Sequence, residues 1–324
     1  MHSYLTERTQ AIKSSIEDNT SSPSFLRIGV PQGSVLGPLL FTLYLADFSF
    51  AVRHCKYNFY ADDLQAYIDC EPKDLLDTIR KVNEDIDVIL DWSITNRLIL
   101  NSDKTQAIIM GTSRFINAID LSRLPEIRVD WSKIEYSTCI KYLGVTIMNT
   151  LSWEKQVTNM TNRIHSTLYQ VKLCRHLLPE TLKSNVVTLI YPHVDYYCVS
   201  YTYMTTEHNL RLHKTTNACI RFIFNVSTYD EHITPYYVRL RWLKVARRAY
   251  FVGCLLYKIL ETKQPSLLHS NFNCRVTTDR RNRINVRLTS ARFWNGLSQS
   301  IRSATTLADF KQILYSHLLD CAFL

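Results

Sequence analysis

Two adjacent aspartates, Asp62 and Asp63, stand between two short runs of aromatic and apolar residues. The flanking runs within residues 56–68 predict two strands joined by a tight turn, which is a β-hairpin with both carboxylates at its tip. Carboxylate oxygens at such a tip suit hard divalent cations such as Mg²⁺. Two Mg²⁺ ions roughly 3.5–4 Å apart support phosphoryl transfer. Asp-Asp pairs are also common in ordinary turns, which is the alternative interpretation.

A glycine-rich loop at residues 29–41 is the second candidate element. Three of the chain's seven glycines lie at positions 29–37, and glycine lets the backbone approach a ligand closely. Pro38 suits the first turn of a helix, and apolar residues then recur at helical spacing. Gln32 lies within this loop, where it is placed to contact a ligand. A plain loop-to-helix junction is the alternative.

The elements around these motifs alternate irregularly, which predicts an α+β fold. A long amphipathic helix is predicted over residues 73–97, with a solvated face formed by Glu84, Asp85, Asp87 and Asp91. An apolar stripe from Trp153 to Val171 predicts a second long helix. Other expected helices cover residues 3–10, 180–191, 207–224, 243–260 and 305–319, and expected strands cover residues 98–111, 127–129 and 140–147.

Charge divides the chain unevenly. Residues 1–150 hold 15 Lys/Arg and 19 Asp/Glu, and residues 151–324 hold 23 and 10, so the net charges are −4 and +13. The basic half suggests a polyanionic partner, and a merely solvated basic surface is the alternative. Six of its arginines lie within residues 275–292. We predict boundaries near 150 and, more weakly, near 235, which gives three regions: 1–150, 151–235 and 236–324.

The cysteines and the apolar runs argue against several classes of protein: disulfide-rich, zinc-knuckle, secreted and membrane-spanning. Nine cysteines are widely spaced without a C-x-x-C pair, which argues against a disulfide framework and a zinc knuckle. A reducing, intracellular compartment is expected, without a choice between nucleus and cytoplasm. The first ten residues do not read as a secretory signal, and no apolar run is long enough to span a bilayer, so we expect no membrane partner.

In this order the motifs resemble the reverse transcriptase of a jockey-like, LINE-type retrotransposon, which lacks long terminal repeats. The resemblance runs over nearly the whole chain. It is carried by residues 29–41, 59–63, 101–105, 142–145, 293–297 and 307–311. The fold it implies is a partial polymerase palm, an antiparallel sheet with helices, over residues 1–150. A helical thumb-like region over 151–235 and a basic helical carboxyl-terminal region over 236–324 would follow.

The resemblance implies a role for the residues at the hairpin and the loop. Asp62 and Asp63 would hold Mg²⁺, with Asp62 the more essential. Tyr60 would pack near the primer end, unless it is a strand aromatic that only packs. Gln32 and Gly33 would contact the templating base pair.

Further roles concern the phosphates and the primer. Lys104 would stabilise or protonate the departing pyrophosphate, with a plain surface lysine as the alternative. Tyr142, Leu143 and Gly144 would form a primer grip. The implied partners are an RNA template, a DNA primer and deoxynucleoside triphosphates, and residues 151–324 would grip the duplex by its phosphates in a salt-sensitive way.

One departure from the family pattern concerns the metal ligands. The family supplies a third metal-binding aspartate from a strand well before the glycine-rich loop, and here Asp18 is the only aspartate before that loop. We therefore expect the fingers and the first palm strand to be missing, and the chain alone to polymerise poorly or not at all. Two functions stay open: an RNA-directed DNA polymerase, and a catalytically dead remnant that only binds nucleic acid.

Overall fold

Short hairpins and longer helices make up the structure, a computed structural model. It describes residues 2–13, 20–26, 29–190, 192–201, 204–227, 232–243, 247–272 and 293–323. The strands among these residues form four two-stranded antiparallel sheets, which confirms the α+β class. No helix within the described ranges is both long and apolar enough to cross a membrane.

The elements up to residue 137 include the hairpin that carries Asp62 and Asp63. In chain order they are α1 (His2–Leu5), β1 (Arg8–Gln10), β2 (Ser24–Leu26), α2 (Leu36–Tyr44), β3 (Lys56–Tyr60), β4 (Asp63–Tyr67), α3 (Leu75–Thr95), α4 (Ser113–Ala118), β5 (Ile127–Val129) and β6 (Ser132–Ile134). A 3₁₀ helix, Ala46–Phe50, joins α2 to the hairpin.

The remaining elements are mainly helical. They are β7 (Cys139–Tyr142), β8 (Val145–Met148), α5 (Glu154–Leu173), α6 (Glu180–Ile190), α7 (Pro192–Asp195), α8 (Thr206–Phe224), α9 (Thr234–Leu240), α10 (Arg247–Thr262), α11 (Ser266–Phe272), α12 (Gln299–Arg302) and α13 (Leu307–Phe323). The long helices predicted over residues 73–97, 180–191 and 207–224 are confirmed with small shifts at their ends.

Contacts divide the chain into two compact units. The first comprises Met1–Ile109 and Asn117–Ser137, and the second comprises Met110–Ile116 and Thr138–Leu324. The predicted three-region division stays a prediction.

The core of the first unit lies between α3 and the hairpin β5–β6. Ile79 of α3 packs with Ile127, Val129 and Ile134 in one buried cluster. The alternation within β5 explains this contact, because Ile127 and Val129 are buried whereas the intervening Arg128 is exposed. A strand with one buried face packs in this way against a helix with an apolar stripe.

The core of the second unit is built on α5, which packs against α8. Val157, Met160, Ile164 and Leu168 are buried and recur at intervals of three or four residues along α5. This spacing places them on one helical face, so the predicted apolar stripe is confirmed. A separate cluster joins α10 to α13, where the rings of Tyr257 and Phe310 stack with centroids 4.4 Å apart.

Three predicted elements are wrong. The helix expected over residues 3–10 ends at Leu5, because the following residues pair as β1 with β2. Residues 98–111 form no strand; they contain a turn and one isolated bridge, from Ala107 to Tyr136. The strand expected over residues 140–147 is two strands, β7 and β8, joined at a turn. Asp18 and residues 275–292 lie outside the described residues.

Candidate active site

Asp62 and Asp63 lie at the tip of the hairpin β3–β4, as the sequence predicts. Tyr60 pairs directly with Asp63, so Ala61 and Asp62 are the two turn residues. Of these two, only Ala61 has a positive φ, 53°, which is the pattern of a type II′ turn. Asp62 therefore occupies the apex, and Asp63 is the first residue of β4.

The two faces of the hairpin differ in exposure. Tyr57 and Phe59 are half-buried, whereas Asn58 and Tyr60 are exposed. Cross-strand partners share a face, so the side chains of Tyr60 and Asp63 both lie on the exposed face. Tyr60 is 64% exposed, and its contact with the primer stays a prediction beside the alternative that this residue only packs.

An aromatic cluster anchors the other face. Phe48 is only 1% exposed, and its ring meets those of Tyr57, Phe59 and Trp92 edge-on, with centroids 5.0, 4.7 and 5.0 Å away. Trp92 belongs to α3, and its Nε1 donates to Oδ1 of Asp47 at 3.2 Å. Edge-to-face packing of this kind is favourable and directional, so it holds the hairpin against α3.

Asp85 is buried at 1% exposure, so its predicted place on a solvated face is wrong. Its Oδ1 accepts from the backbone N–H of Arg53 at 3.0 Å, and its Oδ2 accepts from His54 at 2.9 Å and Cys55 at 2.6 Å. Burial alone would raise the pKa of Asp85, but these hydrogen bonds outweigh it and lower that pKa. The carboxylate thereby holds the segment that enters β3.

The same contact affects Cys55. Burial, together with the Asp85 carboxylate beside it, raises the pKa of the Cys55 thiol to about 12.

The sequence does carry a signal for the burial of Asp85. This residue lies four positions before Ile89 and therefore shares its buried helical face.

Gln32 and Gly33 form a turn ahead of α2. The backbone N–H of Ser34 donates to the Pro31 carbonyl at 3.3 Å, and Gly33 has a φ of 77°, a conformation that favours glycine. Gly37 is buried, and a Cβ there would lie 3.1 Å from Ser34 Oγ. The glycines thus set the path of the loop, and the Gln32 side chain is exposed.

Lys104 lies on an exposed turn that Asn101 organises. The Asn101 side chain accepts from the Lys104 backbone N–H at 3.1 Å, and the Asn101 carbonyl accepts from Thr105 Oγ1 at 2.8 Å. Within the described chain, no hydrogen bond or ion pair engages the Lys104 ammonium group. Both interpretations of this residue, phosphate contact and plain surface lysine, therefore stay open.

The segment assigned to the primer grip belongs to the second unit. Tyr142 pairs with Val145, so Leu143 and Gly144 form a two-residue turn between β7 and β8. Both have positive φ, 45° and 82°, as a type I′ turn requires.

The donor set at the hairpin tip fits Mg²⁺. Asp62 and Asp63 are both exposed, and no described residue engages either carboxylate in a hydrogen bond or ion pair. Mg²⁺ usually takes one or two protein carboxylates and completes its shell with water and substrate phosphates. No group of three or more His, Cys, Asp or Glu positioned to hold a metal occurs in the part of the chain that the structure describes.

Comparison with known protein families identifies the amino-terminal part. Residues 1–147 match the family model for reverse transcriptase (RNA-dependent DNA polymerase). This part of the chain is therefore similar to reverse transcriptases. The matched residues include the hairpin aspartates, the glycine-rich loop, Lys104 and the turn at Leu143–Gly144. No solved structure matches the chain significantly.

Similarity to curated proteins indicates the same family as the family model. The RNA-directed DNA polymerase from mobile element jockey of Drosophila funebris is 25% identical over 155 residues, which cover 46% of this chain and 16% of the relative. The Drosophila melanogaster jockey polymerase is 26% identical over 165 residues, 49% of this chain and 17% of the relative. The probable RNA-directed DNA polymerase from transposon X-element of Drosophila melanogaster is 25% identical over 248 residues, 72% of this chain and 25% of the relative. The chain thus spans a quarter or less of each of these relatives. The predicted resemblance to jockey-like reverse transcriptases is confirmed, but for the two jockey polymerases it covers about half of the chain and not nearly all of it.

Proposed function

We propose that this chain acts in RNA-directed DNA synthesis and that Asp62 and Asp63 hold Mg²⁺ for two-metal nucleotidyl transfer. The observation that carries this proposal is the hairpin itself. Two exposed carboxylates lie at and beside the apex of a turn whose opposite face is anchored by Phe48 and whose entry is held by Asp85. The hairpin lies within the residues that match the reverse transcriptase family model.

The strands and side chains around the tip have different roles in this proposal. The anchored strands preorganise the carboxylates, so little rearrangement is needed when ions and substrate bind. Bound Mg²⁺ would supply activation of a hydroxyl nucleophile and neutralisation of phosphate charge. Tyr60, on the same face as Asp63, would contact the primer terminus. Lys104 would stabilise the departing pyrophosphate or give it a proton.

The nucleic-acid partners follow from the other motifs. Gln32 and Gly33 would contact the templating base pair, and residues 142–144 would hold the primer. In this proposal residues 1–150 act as a partial palm, and the net charge of +13 in residues 151–324 supports phosphate contacts from a thumb-like and a carboxyl-terminal region. The template is RNA, the primer is DNA and the substrates are deoxynucleoside triphosphates.

Primer extension on an RNA template tests this function. We expect slow extension that requires Mg²⁺ and is reduced at least about 100-fold by Asp62→Ala, a loss typical of an essential catalytic interaction. Asp69→Ala is the matched control, because Asp69 is an exposed carboxylate just beyond β4 whose only ion pair among described residues is with Lys56, at 2.7 Å. We expect this control to change extension less than about twofold, since such surface pairs contribute little. Extension by Asp62→Ala at the wild-type rate contradicts the proposal.

A second candidate function is nucleic-acid binding without synthesis, which the charge of residues 151–324 favours. Binding of an RNA–DNA duplex, followed by fluorescence anisotropy, separates the two. Both functions predict that affinity falls steeply, by about 10³ or more between about 50 and 200 mM salt if six to ten phosphates are contacted. Only the polymerase function also predicts primer extension. Affinity that does not change with salt contradicts phosphate binding by the basic half.

A further inference from the structure

The turn between β7 and β8 adopts a backbone conformation that its sequence disfavours. Leu143, the first of its two central residues, has a φ of 45°. Glycine, asparagine and aspartate are usual there, and a bulky side chain in this left-handed region is an outlier. Such outliers persist only where surrounding structure holds them, and they concentrate at functional sites.

One side chain from elsewhere in the second unit holds this turn. The hydroxyl of Tyr196 donates a hydrogen bond to the backbone carbonyl of Leu143 at 2.5 Å. Tyr196 directly follows α7, and its backbone N–H donates to the Pro192 carbonyl at 2.8 Å. The contact therefore links two segments that are 53 residues apart in sequence.

The Tyr196 ring also lies against the second turn residue. A Cβ placed on Gly144 would lie 3.4 Å from Tyr196 Cε1 and 3.6 Å from its hydroxyl oxygen. Tyr196 as a whole is nonetheless 52% exposed, and Gly144 is exposed as well. Tyr196 and Gly144 therefore share an exposed surface.

We infer that Tyr196 is a positioning residue for nucleic-acid binding, because it fixes the Leu143–Gly144 turn in the one conformation that meets a DNA primer backbone. This inference rests on the proposed function of residues 142–144 as a primer grip. The hydroxyl orients the Leu143 carbonyl, and the ring packs against Gly144 in the space that a side chain would otherwise occupy.

Removal of a single oxygen tests the inference. Tyr196→Phe deletes the hydrogen bond to Leu143 and keeps the ring, and Tyr197→Phe deletes a neighbouring hydroxyl as the matched control. In the 324-residue chain we expect Tyr196→Phe to raise the dissociation constant for a primer–template duplex about fivefold, the effect of one lost hydrogen bond. In steady-state extension the same change should raise KM for the primer–template and leave kcat unaltered.

Hydrogen exchange of residues 139–148 in the free chain gives a second readout that needs no activity. We expect Tyr196→Phe to speed exchange at the turn about fivefold and Tyr197→Phe to leave it unchanged. Unaltered exchange in Tyr196→Phe overturns the inference, and so does faster exchange without loss of affinity. Failure of the wild-type chain to bind any primer–template contradicts the proposed function instead, and the exchange comparison still decides whether Tyr196 holds the turn.

A third test replaces Leu143 by a residue whose turn conformation does not need the Tyr196 hydrogen bond. Glycine adopts the left-handed conformation freely, so Leu143→Gly should make the Tyr196 hydroxyl dispensable. We expect Tyr196→Phe to weaken duplex binding by less than about twofold in the Leu143→Gly background, which is a coupling between contacting sites. The same fivefold loss in both backgrounds overturns the inference.

Discussion

The Asp85 carboxylate accepts a hydrogen bond of 2.6 Å from the backbone N–H of Cys55, the residue that leads into β3. This contact joins the middle of α3 to the base of the hairpin that carries Asp62 and Asp63. Three consecutive backbone N–H groups, from residues 53–55, donate to this buried anion. The position of the hairpin therefore depends on a carboxylate that takes no part in the proposed chemistry.

Replacement of this carboxylate should loosen the hairpin. Asp85→Asn keeps the shape but removes the charge and turns an amide group toward backbone donors, so we expect the free energy of unfolding to fall by about 2–3 kcal/mol. Urea denaturation measures the loss, and hydrogen exchange at residues 53–67 locates it. Asp87→Asn, on the exposed side of the same helix, is the control and should change stability by less than about 0.5 kcal/mol. Equal effects of the two variants would contradict this role of Asp85.

Stability should also depend on pH through Asp85. Its pKa is lowered in the folded chain, so the carboxylate stabilises the fold fully above its unfolded pKa, about 3.9, and the contribution is lost as pH falls toward the folded pKa. Below about pH 5 the wild-type urea midpoint should therefore fall more steeply than that of Asp85→Asn. If the urea midpoints of the two proteins fall in parallel as pH is lowered, ionisation of Asp85 does not stabilise the fold.

The aromatic anchor provides a separate test of how the hairpin is held. Phe48 is 1% exposed and Phe50, two residues later, is 86% exposed. Phe48→Ala should lower the free energy of unfolding by about 3–5 kcal/mol, because it opens a cavity among Tyr57, Phe59 and Trp92. Phe50→Ala should have an effect of less than about 0.5 kcal/mol. Similar urea midpoints for the two variants would exclude the aromatic cluster as the anchor.

A substitution in the turn at the hairpin tip should increase the stability of the chain, whereas those at Asp85 and Phe48 should decrease it. Ala61 has a φ of 53°, which costs an L-residue free energy that glycine avoids, so Ala61→Gly should stabilise the chain by about 0.5–1 kcal/mol. Ala66→Gly, at an extended position of β4 in the same hairpin, should destabilise it by about 0.5–1 kcal/mol. Thermal or urea unfolding of both variants checks the signs, and a loss of stability in Ala61→Gly would contradict the turn conformation.

Local sequence signals predicted much of the hairpin and the helices. The runs of aromatic and apolar residues on either side of Asp62 and Asp63 predicted the strands and the tip. The apolar spacing from Val157 to Leu168 predicted the buried face of α5. These features depend on periodicity within one segment, which a single sequence displays directly.

Features that depend on distant partners were not predicted. Asp85 is charged and lies between Glu84 and Asp87, and its burial becomes favourable only because residues 53–55 present their N–H groups to it. Leu143 gives no sign of a left-handed conformation, which the Tyr196 hydroxyl supports from 53 residues away. Residues 8–10 form a strand only through pairing with residues 24–26. In each case tertiary contacts override local propensity.

Binding of a divalent ion at the hairpin tip tests whether Asp62 and Asp63 are metal ligands. Mn²⁺ can be titrated into the 324-residue chain with primer–template and nucleotide present and followed by electron paramagnetic resonance, since Mn²⁺ accepts the same oxygen ligands as Mg²⁺. We expect the double variant Asp62→Asn, Asp63→Asn to bind Mn²⁺ at least about tenfold more weakly than wild type, and Asp69→Asn to bind it normally. Equal Mn²⁺ affinity in the double variant and the wild type would show that the two carboxylates are not the metal ligands.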